Sequence, residues 1–308
     1  MNKFKKVAVL CGGDGREREV SLRSGKAVTD ALNEAGFEAV MIDLLRLKDA
    51  DNLKDSDFEG AFIAMHGDWG EGGQLQEKLG KIGMPYTGSD PHASALAMDK
   101  WEAQRFFERA GIPVPKSIFI PKSYDDVMNR LGNDIVVKPC SGGSTVGVSI
   151  IHNLTPQNLN EALNLARESY AGEVMAEKYI AGREITCAVW ERNGKTEALP
   201  VIEIKPHEGY YDYTNKYTKG ATEYIVPAEL DSDTASMIQD YAVKAHEALG
   251  CRAYSRADFR LTPEGEAYIL EVNTAPGMTA TSLVPKAAKA VGVSMSDFVK
   301  EIMNKARI

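Results

Sequence analysis

Asp258, Glu271 and Asn273 are the residues of this 308-residue chain whose types and spacing most suggest a bound cation, with Arg256 close by. Tyr254, Arg256, Asp258 and Arg260 alternate with apolar or small residues, and after a turn the run Ile-Leu-Glu-Val-Asn carries Glu271 and Asn273. Strand side chains point to one face every second residue, so each run reads as a strand with its polar side chains on one face. An even-length hairpin loop centred on Glu264 and Gly265 would put Asp258 opposite Glu271 and Arg256 opposite Asn273. Facing carboxylates repel, and a buried pair raises one pKa sharply unless a cation lies between them. Carboxylate and amide oxygens suit magnesium, and with an arginine beside them they read as a phosphoryl-transfer site. A three-residue loop would instead put Pro263 and Glu264 in a type I turn with Gly265 as a bulge. Leu270 would then face Asp258, and the charges would line a solvated strand. The hairpin alone leaves both arrangements open.

Three loops offer further chemistry. In Lys138-Pro-Cys-Ser-Gly-Gly-Ser-Thr-Val-Gly147, small residues let backbone N–H groups close over a phosphate, with Lys138 supplying charge at the root. The lysine precedes the glycines and no Walker pattern occurs, which disfavours a P-loop nucleotidase; a plain surface loop is the alternative. Gly12-Gly-Asp-Gly15 lacks the full dinucleotide spacing, and the following Arg16-Glu-Arg-Glu19 either solvates a first helical turn or aims Glu17 at a ligand ammonium. His66-Gly-Asp-Trp-Gly-Glu71 follows a third strand, where His66 is a hydrogen-bonding residue or a catalytic one. Tyr210, Tyr211, Tyr213, Tyr217 and Tyr224, with Lys216 and Lys219, suggest a packed segment, either a closing lid or a structural loop.

The elements that must hold these residues alternate from the start. Val7–Cys11, 39–44 and 61–65 read as strands, separated by a helix with Leu22, Val28, Ala31, Leu32 and Ala35 at helical spacing. A helix carrying Leu75, Leu79 and Ile82 follows, and an open α/β sheet is expected over residues 1–90. Asp90-Pro91, Asp99 with Glu102, and Thr155-Pro156 are helix starts. Residues 91–178 read as a small α+β unit with strands near Ile118 and at 135–138. Residues 179–308 form a third unit, with strands over 184–191 and 195–204 joined by Asn193-Gly194. Helices are expected at about 234–249 and 295–305.

Thirty-six basic against 44 acidic residues give a net charge of -8, which argues against a nucleic-acid or anionic-membrane surface and favours small-molecule chemistry. Cys11, Cys140, Cys187 and Cys251 lack paired spacing, as for core thiols in a reducing compartment, so a cytoplasmic location is expected. The apolar run after the basic start is too short for a signal peptide, and no stretch is long enough to span a bilayer.

Taken in order, these pieces resemble the D-alanine–D-alanine ligases of the ATP-grasp superfamily over essentially the whole chain. The residues that carry the resemblance begin with Gly12-Gly13 with Glu17–Leu22, His66-Gly67 with Gly70-Glu71, Pro85–Ser89 and Met98–Lys100. Lys138-Pro139, Gly143-Ser144, Val146-Gly147 and Leu270–Met278 complete the set. The resemblance implies an ATP-grasp fold: an α/β substrate-binding domain with an open parallel sheet, followed by two α+β subdomains that sandwich ATP. It implies ligation of two D-alanines through a D-alanyl phosphate, for cell-wall precursor synthesis. Asp258, Glu271 and Asn273 would hold two magnesium ions, replaceable by manganese, and Arg256 would stabilise the transferred phosphoryl group. Lys100, Lys138 and Lys216 would contact ATP, with Glu177, Lys178, Ile180 and Glu184 around the adenosine. Glu17 and His66 would face the first D-alanine, and Gly277, Ser282 and Leu283 the second; Ser144 and Tyr217 would latch a lid.

A homodimer is also implied. Asp14-Gly-Arg16, Gly72 and Ser141-Gly142 depart from the family pattern, and none removes a residue given a chemical role. Other readings of the same residues are a D-alanine–D-lactate or relaxed D-amino-acid ligase, a kinase releasing a phosphorylated product, and a nucleotide-binding regulatory protein without turnover.

Overall fold

The computed structural model describes residues 2–170, 172–207 and 220–308. Three sheets follow one another along the chain. The first is parallel, in order β2-β1-β3, from β1 (Lys6–Gly12), β2 (Glu38–Leu44) and β3 (Gly60–Ile63). Parallel neighbours need a crossover, which the helix Arg18–Glu34 supplies between β1 and β2. Val7 to Cys11 are fully buried in the central strand, which is why that run is continuously apolar instead of alternating. Beyond it the chain turns sharply: Gly12 and Gly13 have φ of 106° and 92°. A Cβ at Gly12 would lie 2.2 Å from Asp43 Oδ1, so only glycine brings Glu17 round to the carboxyl edge of this sheet.

The second sheet is antiparallel, in order β4-β7-β5-β6, from β4 (Ser117–Phe119), β5 (Ile135–Pro139), β6 (Ser149–Ile151) and β7 (Val174–Lys178). The helix Pro156–Ser169 backs it, opened by reciprocal bonds between Thr155 and Asn158. Its buried stripe, Leu159, Ala162, Leu163 and Ala166, packs with Val127, Leu131, Ile135 and Val137. β6 and β7 are strands that the sequence does not announce. β6 is too short to alternate, and β7 contains Met-Ala-Glu-Lys, which becomes strand because it fills the space between β4 and β5.

The third sheet comprises β8 (Arg183–Arg192), β9 (Lys195–Ala198), β10 (Ile202–Pro206), β11 (Thr222–Ile225), β12 (Tyr254–Leu261) and β13 (Ala267–Asn273). Its order is β11-β10-β8-β12-β13, with β9 also on β8. Asn193 and Gly194 take φ of 51° and 75°, the two positive angles of the expected two-residue hairpin turn. The strand expected to run unbroken from 195 to 204 is split instead. Leu199 N–H still donates to the Ala188 carbonyl of β8 at 2.8 Å, but Pro200 has no N–H to give, and the ladder resumes as β10 only at Ile202.

The β12–β13 hairpin combines both arrangements that its sequence permits. Its loop is not even-length: Thr262 N–H donates to the Glu266 carbonyl at 2.9 Å, Gly265 N–H to the Thr262 carbonyl at 3.0 Å, and Gly265 has φ of 86°. That three-residue loop pairs Phe259 with Ile269, yet beyond it Asp258 pairs with Glu271 and Arg256 with Asn273. A β-bulge at Leu270 absorbs the extra residue and returns both carboxylates to facing positions.

The C-terminal helix Met295–Asn304 packs against the helix Arg18–Glu34 and carries Phe298, Val299, Ile302 and Met303 into a core shared with Val7, Val9 and Leu32. Trp190 of β8 meets Phe298 edge-on, ring centroids 4.9 Å apart, and Tyr254 of β12 belongs to the same core. This shared core seats the loops after β1 and β3 over the start of β12. Among the described residues no helix is long and apolar enough to cross a membrane.

Candidate active site

Two cavities meet at one set of residues. One lies between the second and third sheets, lined by Val136, Lys138, Glu177, Ile180, Phe259 and Leu270 among others. The other lies between the first and third sheets and is lined by Glu17, His66, Arg256, Asn273, Gly277 and Ser282 among others. Lys100, Gly142, Gly143, Ser144 and Glu271 line both, so a ligand in each would touch there.

Cationic side chains balance the facing carboxylates. Arg256 Nε and Nη2 donate to Asp258 Oδ1 and Oδ2 at 2.8 and 2.7 Å, and Thr186 Oγ1 donates to Oδ1 at 2.6 Å. Lys100 Nζ lies 3.3 Å from Glu271 Oε2 and donates to the Gly142 carbonyl at 2.5 Å. Asp99 starts the Lys100–Arg109 helix by accepting from Glu102 N–H, which fixes where Lys100 emerges. Asn273 Oδ1 accepts from Ala275 N–H at 2.8 Å.

These groups fit a divalent cation by chemistry: all are hard oxygens on one face of a hairpin, and a carbonyl oxygen already accepting one hydrogen bond retains a second lone pair. A cation at Asp258 would compete with Arg256 for the same oxygens, and a guanidinium donor displaced from them would be available to an anion in the adjoining cavity. The paired bonds thus couple Arg256 to Asp258, one of the candidate cation-binding oxygens.

The glycine-rich segment joins the two halves. Gly142, Ser144, Thr145 and Gly147 all have positive φ, and a Cβ at Gly142 would meet the Tyr170 ring at 2.5 Å. Where an ordinary residue adjoins an inverted one, as Gly143 adjoins Ser144, successive backbone N–H groups can form an anion cradle. Ser144 Oγ donates to Glu17 Oε1 at 2.5 Å, linking this loop to the loop after β1. Gly67 makes room for Glu17, since a Cβ there would stand 2.4 Å from Glu17 Oε2. Arg18 braces the same turn through two bonds of 2.8 Å to Asp43, which hold the Asp43 carboxyl below its usual range.

His66 is buried behind Glu17. Its Nδ1 donates to the Ala275 carbonyl at 3.0 Å and lies 3.5 Å from Glu71 Oε1, while Nε2 is 2.9 Å from Ser24 Oγ. Burial opposes its charged form, but the carboxylates of Glu71 and Glu17 and the Ala275 carbonyl outweigh burial and push its pKa upward. On the far side, Thr279 N–H donates to Ser282 Oγ at 3.0 Å, and Leu283 is buried at the start of the helix Leu283–Ala290.

In the first cavity Lys138 Nζ donates to Glu177 Oε1 at 2.7 Å, Arg260 lies 3.0 Å from Glu184 and its Nε donates to the Ile180 carbonyl at 3.0 Å. Lys178 lies on the same wall. Lys216 and Tyr217 lie outside the described residues.

A family model described as the D-ala D-ala ligase C-terminus matches residues 106–304. The chain belongs to the D-alanine–D-alanine ligase family. A D-alanine–D-alanine ligase of Halalkalibacterium halodurans is 42% identical over 303 residues, covering 97% of this chain and 98% of its own. One from Bordetella parapertussis is 44% identical over 306 residues, covering 99% and 96%. Among solved structures, a D-alanine–D-alanine ligase from Bacillus anthracis complexed with ATP superposes with a TM-score of 0.83 at 32% identity, covering 98% of this chain and 96% of that one. A D-Ala:D-Ser ligase from Enterococcus faecalis does so with 0.82 at 32% identity, covering 97% and 98%. The fold is therefore the ATP-grasp fold of these family members.

Several side chains at the site carry no signal strong enough to be singled out in sequence. Thr186 reaches Asp258 from the neighbouring strand, and only the alternation of Glu184 and Thr186 along β8 hints at it. Ser24 meets His66 across 42 positions, while Glu71, named in the His66 motif but given no role there, meets it from a helical turn in the same loop. Gln104 reaches Glu177 at 3.0 Å from one helical turn beyond Lys100.

Proposed function

We infer that the chain is an ATP-dependent ligase that joins two D-alanines through a D-alanyl phosphate, releasing ADP and phosphate, for peptidoglycan precursor synthesis. The observation that carries this reading is the meeting of the two cavities at Lys100, Gly142–Ser144 and Glu271. ATP in the first cavity would present its terminal phosphate to the carboxylate of an amino acid in the second.

Residues 1–90 would then bind the first amino acid, while 91–178 and 179–308 would enclose ATP. Glu17, aimed by Ser144, holds the ammonium of the first D-alanine and so directs its carboxylate toward Arg256 and His66. A carboxylate oxygen attacks the γ-phosphorus, the bond to the β-phosphate oxygen breaks, and ADP leaves. Lys100, Lys138 and Lys216 neutralise the ATP phosphates, and Asp258, Glu271 and Asn273 would hold two magnesium ions, or manganese in their place. Those ions supply charge neutralisation on the phosphates.

The second D-alanine, its carboxylate near Ser282, Leu283 and Gly277, loses a proton and attacks the acyl carbon. Arg256 offers its donors to the oxyanion, and phosphate departs with the electron pair of the broken C–O bond. Glu177, Lys178, Ile180 and Glu184 surround the adenosine. Tyr217, with Ser144, closes the site, since an acyl phosphate exposed to water hydrolyses. The protein acts in the cytoplasm as a homodimer, as the family resemblance implies; sizing by light scattering tests the dimer.

The activity test is ADP release with mass detection of product, using D-alanine alone and with D-lactate or D-serine added. Dipeptide formed one for one with ADP supports the reading. ADP without a condensed product points to the kinase reading, and a depsipeptide reassigns the acceptor.

A further inference from the structure

We propose that Gln104 is a positioning residue for nucleobase selection: with Ser117 it holds the Glu177 carboxylate in one orientation, so the cleft favours a base that offers an amine there. The inference rests on the nucleotide reading of that cleft given above. Glu177, 3% exposed, accepts from Lys138 Nζ at Oε1 and from Gln104 Nε2 at Oε2, at 2.7 and 3.0 Å. Gln104 itself is 2% exposed.

The direction of this chain of bonds is fixed at both ends. A carboxylate has no proton to give, so Gln104 must turn its NH₂ toward Glu177. Ser117 Oγ, 2.9 Å from Gln104 Oε1, then donates to the other end of the amide and holds that flip. Ser117 is well placed for this because β4 pairs with β7 and sets it directly opposite Glu177. Gln104 donates without adding charge, so Lys138 and Glu177 remain one cation against one anion.

Each Glu177 oxygen accepts one bond from these partners and retains capacity for another. A base amine would use it; hydrogen or a carbonyl at the same point would leave a buried acceptor unmatched or repelled, and sites built around a hydrogen bond discriminate in this way. Gln104 also lies one helical turn beyond Lys100 on the same helix, so it supports Glu177 from behind the cleft wall that Lys100 and Glu177 line.

The test compares ATP with purine riboside triphosphate, which has hydrogen where adenine has its amine. Wild type and the Gln104→Met, Gln104→Glu and Ser117→Ala variants are assayed for kcat and KM, with thermal unfolding as a check on folding. Wild type should prefer ATP by about tenfold in kcat/KM, as expected for one hydrogen bond to a charged group. Gln104→Met should narrow that preference to about threefold or less, mainly through KM, with Ser117→Ala moving it the same way by less.

Gln104→Glu sets two carboxylates face to face, so acidification from pH 8.5 to 6 should restore its KM for ATP toward the wild-type value measured at the same pH. Loss that is equal for both nucleotides, or a Gln104→Glu variant whose ratio to wild type ignores pH, overturns the proposal. A wild-type chain with no saturable dependence on ATP overturns the nucleotide reading and this inference with it. Saturation by ATP with an unchanged preference in Gln104→Met overturns the inference alone.

Discussion

Glu271 occupies the point where the two cavities, the Lys100 ammonium and the carboxylate opposite it converge. Glu271→Gln keeps the shape but removes the charge, and turnover should fall at least about a hundredfold while the melting temperature stays within a few degrees of wild type. Near-normal kcat would remove the metal assignment. Ser144→Ala leaves Glu17 without its 2.5 Å donor; KM for the first D-alanine should rise about tenfold, with KM for ATP moving less. An ATP-only effect would assign Ser144 to the phosphate cradle.

The four cysteines are all free and buried, and burial pushes the thiols of Cys11, Cys140, Cys187 and Cys251 up to about 12. At pH 8 iodoacetamide should label the native protein slowly and all four after unfolding, read by intact mass. Fast labelling of one thiol in the native state would show that it is reached by solvent.

At the scale of elements, the hairpin shows what a sequence can and cannot declare. Alternation in β12 and β13 announces that Arg256, Asp258, Glu271 and Asn273 share a face, and the structure brings them together. The loop length and the bulge at Leu270 offset each other, and neither leaves a mark on the alternation itself. Helix starts at Asp90, Asp99 and Thr155 were legible because a capping side chain acts within three residues. β7 and the contacts of Thr186, Ser24 and Gln104 were not, because they depend on partners 35 to 73 positions away.

One ion pair should make the third sheet pH-sensitive. Arg183 donates twice to the buried Glu203 carboxylate, at 2.9 and 2.6 Å, and holds its pKa below the ordinary 4.5. A carboxylate lowered on folding contributes stability that is present above its unfolded pKa and lost as pH falls through the folded value. Glu203→Gln should therefore melt about 2–4 °C below wild type at pH 7, with the gap closing below about pH 4. A gap that is constant from pH 7 to 3 would mean that packing, not charge, sets the effect.

At the scale of the whole molecule, the arrangement of three sheets explains why the chemistry needs the full chain. The first sheet presents Glu17 and His66, the second Lys138 and Glu177, and the third Arg256, Asp258, Glu271 and Asn273. The core around Trp190 and Phe298 ties the first sheet to the third, while ATP would bridge the second to the third. Magnesium and ATP at about a hundred times the dissociation constant should stabilise the fold by about 2.7 kcal/mol, seen as a higher melting temperature. Glu271→Gln should lose most of that rise.

The order of the loops along the chain carried the family resemblance, and with it the expected substrates. The residues around them, taken singly, supported several chemistries. Stoichiometry tests the ligase activity most directly: ADP and D-alanyl-D-alanine measured together from ATP, magnesium and D-alanine. A ligase gives one dipeptide for each ADP and no product from L-alanine; ADP formed without dipeptide, or neither product, would rule out the ligase assignment.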